Sequence, residues 1–280
     1  MIVDAHVHLF SPLVRENRSD YFPDEPAFRL LYDSPKSRLA GAAETLEMMD
    51  AEGVDRAVVF GFPWRGADTF QRENDFILDA VARHPDRFTG LACFDPLSPF
   101  APREAERCLA AGMAGVGELA FYEDGITDAG REALAEVMAL CRERDAPVML
   151  HTNEPVGHAY PGKSPNTLAQ IYAVARSFPE NKIIFAHWGG GIFFYRLLKR
   201  EVREALANVY FDTAASPFLY TPEIYPAAAA LAGADRILLG SDFPLLRPGR
   251  YLRDMAESGI SEADRAAMVG GNAARLFGLA

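Results

Sequence analysis

Two histidines near the start of the chain are separated by one residue, in Asp4-Ala5-His6-Val7-His8. Side chains alternate between the two faces of a β-strand, so residues two apart point to the same side. A short strand here would direct the imidazoles of His6 and His8 to one point, which suits a metal ion. A surface strand with two unrelated histidines would show the same pattern, so the metal interpretation depends on further ligands elsewhere in the chain.

The rest of the sequence predicts the elements that would position such ligands. Short apolar segments recur, each followed by a turn and a segment of helical periodicity, and several have the continuous apolar character of strands buried on both faces. The predicted strands are 1–8, 56–62, 88–94, 115–122, 147–151, 183–187, 209–213 and 237–241, and helices are predicted at 68–83, 101–111, 128–144, 165–177, 193–206 and 221–232. Eight strand–helix units favour an α/β fold, the (β/α)8 TIM barrel. A doubly wound sheet is disfavoured because no glycine-rich loop follows the first strand.

Two segments depart from this repeat. Residues 10–40 form a long insertion after strand 1, rich in proline and aromatic residues, which is typical of either a lid over a site or a packing flap. Residues 261–279 predict two short C-terminal helices. We expect residues 1–280 to form one domain, since 280 residues, 49% of them hydrophobic, are enough for one large core.

In a barrel, catalytic residues collect at the C-terminal ends of the strands. The predicted strand ends carry His6 and His8 on strand 1, Glu118 on strand 4, His151 on strand 5, His187 on strand 6 and Asp242 after strand 8. Four of the six histidines fall at these ends, which unrelated core histidines would rarely do. Because closure places strand 8 beside strand 1, Asp242 would complete the coordination sphere or take a proton from a metal-activated water.

These ligand types do not determine which metal is bound or how many ions there are. Histidines with a carboxylate suit one zinc ion, which we expect, but they also accept manganese, iron or cobalt. Glu118 has two interpretations: it bridges two ions, with His151 and His187 holding the second, or it orients a ligand histidine. A single divalent metal is favoured.

The motifs together resemble the amidohydrolase superfamily, and within it the amidohydrolase-related group that includes aminocarboxymuconate-semialdehyde decarboxylase and related lactonases. The matching segments are residues 4–8, His151, residues 186–191, residues 240–244 and residues 271–277. The resemblance implies that one divalent metal is held by His6, His8, His151 and Asp242, and that His187 acts in catalysis beside it. Other members of the superfamily use a carboxylated lysine, but none of the four lysines lies near the end of strand 4.

Loops at the same end of the barrel supply the predicted substrate contacts. Arg65 would clamp a substrate carboxylate, although pairing with a surface acid is the alternative. Aromatic side chains would hold a planar molecule or serve only as rim packing. The predicted substrate-binding residues are Trp64, Arg65, Tyr122, His158 and Trp188.

Charge and cysteine content exclude several classes of function. The chain has 28 Lys and Arg against 39 Asp and Glu, a net charge of −11, and no basic run. This argues against nucleic acid and anionic membranes as partners. With no membrane-spanning stretch and three scattered cysteines, a cytoplasmic location is expected.

The leading hypothesis is therefore a metal-dependent hydrolase of a small, carboxylated lactone or amide. Asp242 would take the proton of the activated water and His187 would stabilise the oxyanion. The alternative is a non-oxidative, metal-dependent decarboxylase (a carboxy-lyase) of an unsaturated or aromatic acid, which needs the same ligands. The third hypothesis is a barrel that has lost catalysis and serves only as a binding or assembly module. A homodimer is expected by analogy with the resembled group.

Overall fold

The computed structural model describes residues 1–198 and 200–279, and its eight parallel strands follow one another around a sheet in the order β1 to β8. The strands are β1 (Val3–His8), β2 (Arg56–Phe60), β3 (Phe88–Ala92), β4 (Gly115–Leu119), β5 (Val148–Leu150), β6 (Ile183–Phe185), β7 (Val209–Asp212) and β8 (Ile237–Leu238). The Ala5 N–H donates to the carbonyl of Leu239 (2.7 Å), and the Asp242 N–H donates to that of His6 (2.9 Å). These bonds join the two edges into a nearly closed barrel, which confirms the predicted α/β TIM-barrel fold.

Helices cover the outside of this barrel and fill its connections. They are α1 (Pro12–Glu16), α2 (Pro26–Tyr32), α3 (Ala42–Glu52), α4 (Ala67–Arg83), α5 (Ala101–Ala110), α6 (Asp128–Ala133), α7 (Ala135–Glu143), α8 (Leu168–Ser177), α9 (Arg200–Ala205), α10 (Ser216–Leu219), α11 (Ile224–Ala232), α12 (Pro248–Glu257), α13 (Glu262–Ala266) and α14 (Asn272–Phe277). The predicted helix 128–144 is two consecutive helices, α6 and α7. The predicted helix 193–206 is a 3-10 segment, His187–Leu197, followed by α9; its Lys199, like Ala280 at the chain end, lies outside the described residues.

Two apolar clusters lie on the two faces of the strands. In β2, Val58 and Phe60 belong to a smaller cluster, whereas Ala57 and Val59 belong to the large cluster shared with the outer helices. The same alternation recurs in β5, β6 and β8. The smaller cluster is therefore the barrel interior, as period-two alternation requires. Helix α14 contributes Ala273 and Leu276 to it, so the predicted C-terminal helices pack against the barrel.

The insertion 10–40 contains two short helices rather than irregular chain alone. Ser11 caps α1 by accepting a hydrogen bond from the Val14 N–H, and Pro12 and Pro26 open α1 and α2. Buried Phe28 of α2 packs within 4.5 Å of the Trp64 ring, measured between ring centroids. The insertion is therefore an ordered layer fixed to the loop after β2.

Two buried glutamates attach this insertion to the barrel. The Glu25 carboxylate accepts the N–H groups of Arg65 (2.9 Å) and Gly66 (3.0 Å) in the loop after β2. The Glu73 carboxylate on α4 accepts the Ser11 N–H (3.1 Å) and hydroxyl (2.8 Å). Since all four donors are satisfied from distant parts of the chain, these bonds hold the insertion at the barrel mouth.

Candidate metal centre

The four predicted histidines converge at the C-terminal mouth of the barrel. His6 and His8 lie within β1, and the interior ring of Phe60 contacts both of them at centroid distances of 5.0 and 4.8 Å. The His187 ring lies 5.4 Å from that of His6 and 4.9 Å from that of His151. His151 follows β5 directly and His187 follows β6 after one residue, because β5 ends one residue and β6 two residues earlier than predicted.

Each imidazole is oriented by a hydrogen bond that one ring nitrogen makes away from the centre. The Nδ1 atoms of His6, His8 and His187 lie 2.8, 3.0 and 3.1 Å from Asp212 Oδ2, the Gly61 carbonyl and the Ala214 carbonyl. His151 instead directs Nε2 to the carbonyl of Gly162 (2.9 Å). A carbonyl accepts only from a protonated nitrogen, so in the neutral rings of His8 and His187 the unprotonated Nε2 would face the centre, as in metal-ligating histidines.

Glu118 lies at the centre of the histidines. Its Oε1 is 3.0 Å from His151 Nδ1 and 3.5 Å from His187 Nε2. Its Oε2 is 3.7 Å from the Nε2 atoms of both His6 and His8. The carboxylate is 2% exposed, so the imidazoles replace water around both of its oxygens.

Asp242 approaches the same centre from the residues that follow β8. Its Oδ1 is 3.3 Å from His8 Nε2 and 3.7 Å from His6 Nε2. No hydrogen bond or ion pair from residues 1–198 or 200–279 occupies its Oδ2. One oxygen of Asp242 therefore faces the histidines while the other is available to a bound molecule.

The electrostatics of the centre favour a bound cation. Burial acts to raise the pKa of Glu118, but the neighbouring His151 and His6 outweigh it and hold that pKa well below its ordinary value. Burial likewise acts to lower the pKa of His6, but the carboxylates of Asp212 and Glu118 raise it to about 10. Both shifts show that two ionised carboxylates attract positive charge to the point where the imidazoles meet.

The donors fit one divalent metal. His6 Nε2 is buried and has no hydrogen-bond partner in the described chain, which a metal bond would relieve. Three overlapping groups of donor atoms lie within 4.8 Å of one another: His6, His8 and Glu118; His6, His187 and Asp242; and Glu118, His151 and His187. Because these groups share members, they form a single centre with nitrogen and carboxylate ligands.

Strained backbone positions two of the predicted catalytic residues. His187 and Asp242 have φ angles of 52° and 62°, in the left-handed region that non-glycine residues seldom adopt. Residues 188–191 continue this region, and a Cβ on Gly190 would lie 2.5 Å from the carbonyl oxygen of Asn153. The triple glycine therefore serves the tight turn after β6, where it approaches the loop after β5.

A cavity of ≈ 630 Å³ opens above the donors. His8, Glu118, His151, His187 and Asp242 form its floor. Its walls carry aromatic side chains, namely Tyr32, Phe62, Tyr122, Tyr160 and Phe218. A pocket of this size with a polar floor and largely apolar walls suits a small molecule.

The predicted substrate-binding residues divide into two groups. Tyr122 and His158 line the cavity. Arg65 instead pairs with Glu123 (3.3 Å) on the surface, because its backbone is held by Glu25. Trp64 is buried among the aromatic rings of the insertion, and buried Trp188 donates from Nε1 to the Ser216 hydroxyl (2.6 Å). The structure thus places these last three side chains outside the cavity lining.

Asp212 is a supporting residue that the sequence reasoning missed. This fully buried carboxylate ends β7 and contacts His6 Nδ1, and it also accepts the N–H groups of His187 (2.8 Å) and Ala214 (3.0 Å). The signal was available, since an acidic residue at the end of a buried apolar strand needs partners. Asp4 is a second such residue, because it accepts the Ser241 N–H (2.9 Å) next to Asp242.

A family model described as Amidohydrolase matches residues 3–279. The chain belongs to this family. The resemblance inferred from the motifs is therefore confirmed. None of the helices in the described part of the chain combines the length and the apolar composition that a bilayer crossing requires.

The relatives of this chain include several decarboxylases. Gamma-resorcylate decarboxylase of Polaromonas sp. (strain JS666 / ATCC BAA-500) is 27% identical over 259 residues, which cover 77% of this chain and 78% of the relative. The 2-amino-3-carboxymuconate-6-semialdehyde decarboxylase of Dictyostelium discoideum is 24% identical over 262 residues, with coverages of 79% and 70%. The solved structure of a dihydroxybenzoic acid decarboxylase from Polaromonas sp. JS666, with manganese and 2-nitroresorcinol bound, gives a TM-score of 0.72 at 23% identity and covers 99% of this chain and 97% of that one.

These comparisons correct one expectation and leave another without support. The main prediction of a hydrolase is wrong, because the curated relatives are decarboxylases, as the alternative stated. The motifs misled because hydrolysis and decarboxylation use the same ligand set, so residue types alone do not separate them. The zinc expectation gains no support, since the solved relative contains manganese.

Proposed function

We propose that the protein is a metal-dependent, non-oxidative decarboxylase of a small aromatic or unsaturated acid. The observation that carries this proposal is the cavity, in which aromatic walls stand directly above the histidine and carboxylate floor. The decarboxylase relatives support the same reaction class.

The metal would be held by His6, His8, His151 and Asp242, with Glu118 as a further carboxylate at the centre. We propose manganese, the ion of the solved relative, as the working metal. When bound, it would supply positive charge that fixes the acid group of the substrate and stabilises developing negative charge. Glu118 has both oxygens surrounded by imidazoles, so its role is to hold this charge balance rather than to reach the substrate.

Asp242 is the residue best placed to move a proton. It lines the cavity, and its Oδ2 is not engaged by the described chain. On binding, Asp242 Oδ2 would take an acidic proton from the substrate and then deliver it to the carbon that bears the carboxylate. The carbon–carbon bond then breaks, its electron pair returns to the substrate's unsaturated system, and carbon dioxide leaves. His187 lines the cavity beside Asp242 and is the second proposed catalytic residue.

The cavity walls would orient the substrate. The Tyr122 ring stacks at an interplanar angle of 6° on Phe62, with a centroid distance of 6.2 Å, and lies 5.2 Å from His151. A flat, unsaturated molecule beside these rings would gain apolar contact while its acid group faces the floor. The same walls would exclude water from the carbon that is protonated.

A decarboxylation assay in deuterium oxide tests the proposal. Chelator-treated protein would be reloaded with manganese and incubated with 2-hydroxybenzoate, 2,6-dihydroxybenzoate, hydroxylated benzene dicarboxylates and an unsaturated dicarboxylic acid. We expect carbon dioxide release from at least one acid, with one deuterium on the carbon that carried the carboxylate. Carbon dioxide release no faster than in the metal-free protein for every acid, or loss of an acid without carbon dioxide, would overturn it.

A further inference from the structure

Strand β4 is irregular next to the metal centre. Its register against β5 pairs Val116 with Val148 and Leu119 with Leu150, so β4 advances three residues while β5 advances two. Val116 and Leu119 both belong to the large apolar cluster shared with the outer helices. One extra residue therefore interrupts the period-two alternation, which is a β-bulge, and such bulges redirect a side chain. The redirected side chain here is Glu118, whose carboxylate lies among the imidazoles at the barrel mouth.

Gly117 makes room for this bulge. Its φ angle is 139°, which L side chains rarely adopt, and a Cβ there would lie 2.6 Å from the Met149 carbonyl oxygen of β5. The bulge thus depends on a residue without a side chain, placed directly before Glu118. Since glycine provides no side chain to pack, the backbone at Glu118 needs contacts from elsewhere in the chain.

The Cys93 thiol supplies one such contact. The paired residues of β3 and β4 end at Ala92 and Val116. Just beyond that point, Cys93 Sγ lies 3.1 Å from the Glu118 carbonyl oxygen. A thiol buried in apolar surroundings stays protonated near neutral pH, so it donates this hydrogen bond. The side chain of Cys93 thus joins the two strands at the residue that the bulge redirects.

Cys93 is itself held by a chain of hydrogen bonds from the outer helices. Its N–H donates to Asn74 Oδ1 (2.9 Å), and Asn74 Nδ2 donates to Glu104 Oε1 (2.9 Å). The Arg107 guanidinium donates to both oxygens of Glu104 (2.8 Å each). Asn74 and Cys93 are each 1% exposed, so water does not compete for their bonds. The thiol therefore has a fixed position from which to hold Glu118.

We infer that Cys93 is a positioning residue of the metal centre, whose thiol holds the bulged end of β4 so that the Glu118 carboxylate stays among the ligand histidines. This inference rests on the metal centre of the proposed function, but not on the substrate or the reaction. Groups behind a ligand orient it and tune the metal affinity. Cys93 acts in this way through the backbone of Glu118 rather than as a ligand.

Manganese affinity measures this role without turnover. Wild-type protein and variants would be stripped with a chelator and then titrated with manganese against a fluorescent chelator. Cys93→Ala and Cys93→Val remove the donor, one leaving a small space and the other filling it, and each should weaken manganese binding about tenfold. Cys93→Ser keeps a donor and should stay within about threefold of the wild type. The electron paramagnetic resonance spectrum of the bound manganese, which reports ligand geometry, should change in both donor-free variants and keep its wild-type form in Cys93→Ser.

The matched control is Cys141, a buried cysteine of α7 in the large apolar cluster. Cys141→Ala should cost stability and leave the manganese affinity and the spectrum unchanged. The inference is overturned if Cys93→Ala or Cys93→Val binds manganese as tightly as the wild type, if Cys93→Ser is as weak as they are, or if Cys141→Ala is equally weak. Any of these results leaves the decarboxylase proposal standing, because carbon dioxide release is scored on the wild-type protein. Wild-type protein that binds no manganese would overturn both.

Discussion

The floor and the rim of the cavity are built in different ways. The floor consists of side chains at or just beyond strand ends, each oriented by a second buried group, as Asp212 orients His6. The rim is supplied largely by an insertion of about thirty residues, fixed by scattered contacts such as Glu25 to the Arg65 and Gly66 N–H groups. Under the proposed function, the barrel would determine which metal chemistry is available, and the insertion would determine which acid enters.

The largest effect on activity should come from a substitution at the floor of the cavity. Asp242→Asn removes the proposed proton carrier, so we expect decarboxylation to fall by roughly 10² to 10⁴-fold, the usual contribution of general acid–base catalysis. The thermal unfolding midpoint should stay close to that of the wild type. Asp86→Asn, an exposed residue in the turn between α4 and β3, is the control and should retain full activity. Near-normal turnover of Asp242→Asn would remove Asp242 from the mechanism.

A smaller effect, on metal affinity, is expected from substitution of Asp212, which contacts His6 of the floor. Asp212→Asn would place an amide N–H against His6 Nδ1 or withdraw an acceptor from the His187 and Ala214 N–H groups. Loss of such a supporting partner commonly weakens metal binding by roughly 10 to 100-fold. Competition with a fluorescent chelator measures the manganese affinity. Unchanged affinity would show that the tautomer of His6 does not depend on Asp212.

Glu104 on the outer helix α5 should stabilise the fold in a pH-dependent way. Glu104 of α5 accepts from Asn74, whose side chain in turn accepts the Cys93 N–H at the end of β3. Burial acts to raise the pKa of Glu104, but hydrogen bonds from Arg107 and Asn74 outweigh it and lower that pKa below its ordinary value of 4.5. Its stabilisation is therefore complete above pH 4.5 and is lost as the pH falls through the lowered pKa.

Urea unfolding measures this contribution. We expect Glu104→Gln to cost about 1–3 kcal/mol at pH 7, and we expect the difference from the wild type to shrink as the pH falls below about 4.5. Glu106→Gln, on the same helix and largely exposed, should cost less than about 1 kcal/mol. A loss from Glu104→Gln that stays constant down to pH 3 would contradict the ionic origin of the stabilisation.

The smallest expected effect is on stability and compares two buried tryptophans that do not line the cavity. Trp188→Phe loses a hydrogen bond to Ser216, whereas the Trp64 Nε1 has no partner in the described chain to lose. Trp188→Phe should therefore be more destabilising than Trp64→Phe by about 1 kcal/mol. Since neither lines the cavity, both variants should keep KM within about twofold. A large rise in KM at normal stability would assign that tryptophan to the substrate site.

The difference between the floor and the rim also explains which site residues the sequence could predict. His6 and His8 were found from strand periodicity, and Glu118, His151, His187 and Asp242 from the rule that barrel strands end at one mouth. The position of Arg65 could not be predicted, because it depends on long-range contacts with the insertion that leave no periodic signal. The reaction was misassigned for a chemical reason, since one ligand set serves both hydrolysis and decarboxylation.

Anomalous diffraction from crystals grown with manganese tests the central claim most directly. Data collected at the manganese absorption edge should show one strong peak per chain, within coordination distance of His6 Nε2, His8 Nε2 and an Asp242 oxygen. The peak should be lost in His8→Gln crystals. A wild-type map without a peak at the barrel mouth, or with manganese only at surface carboxylates, would contradict the account.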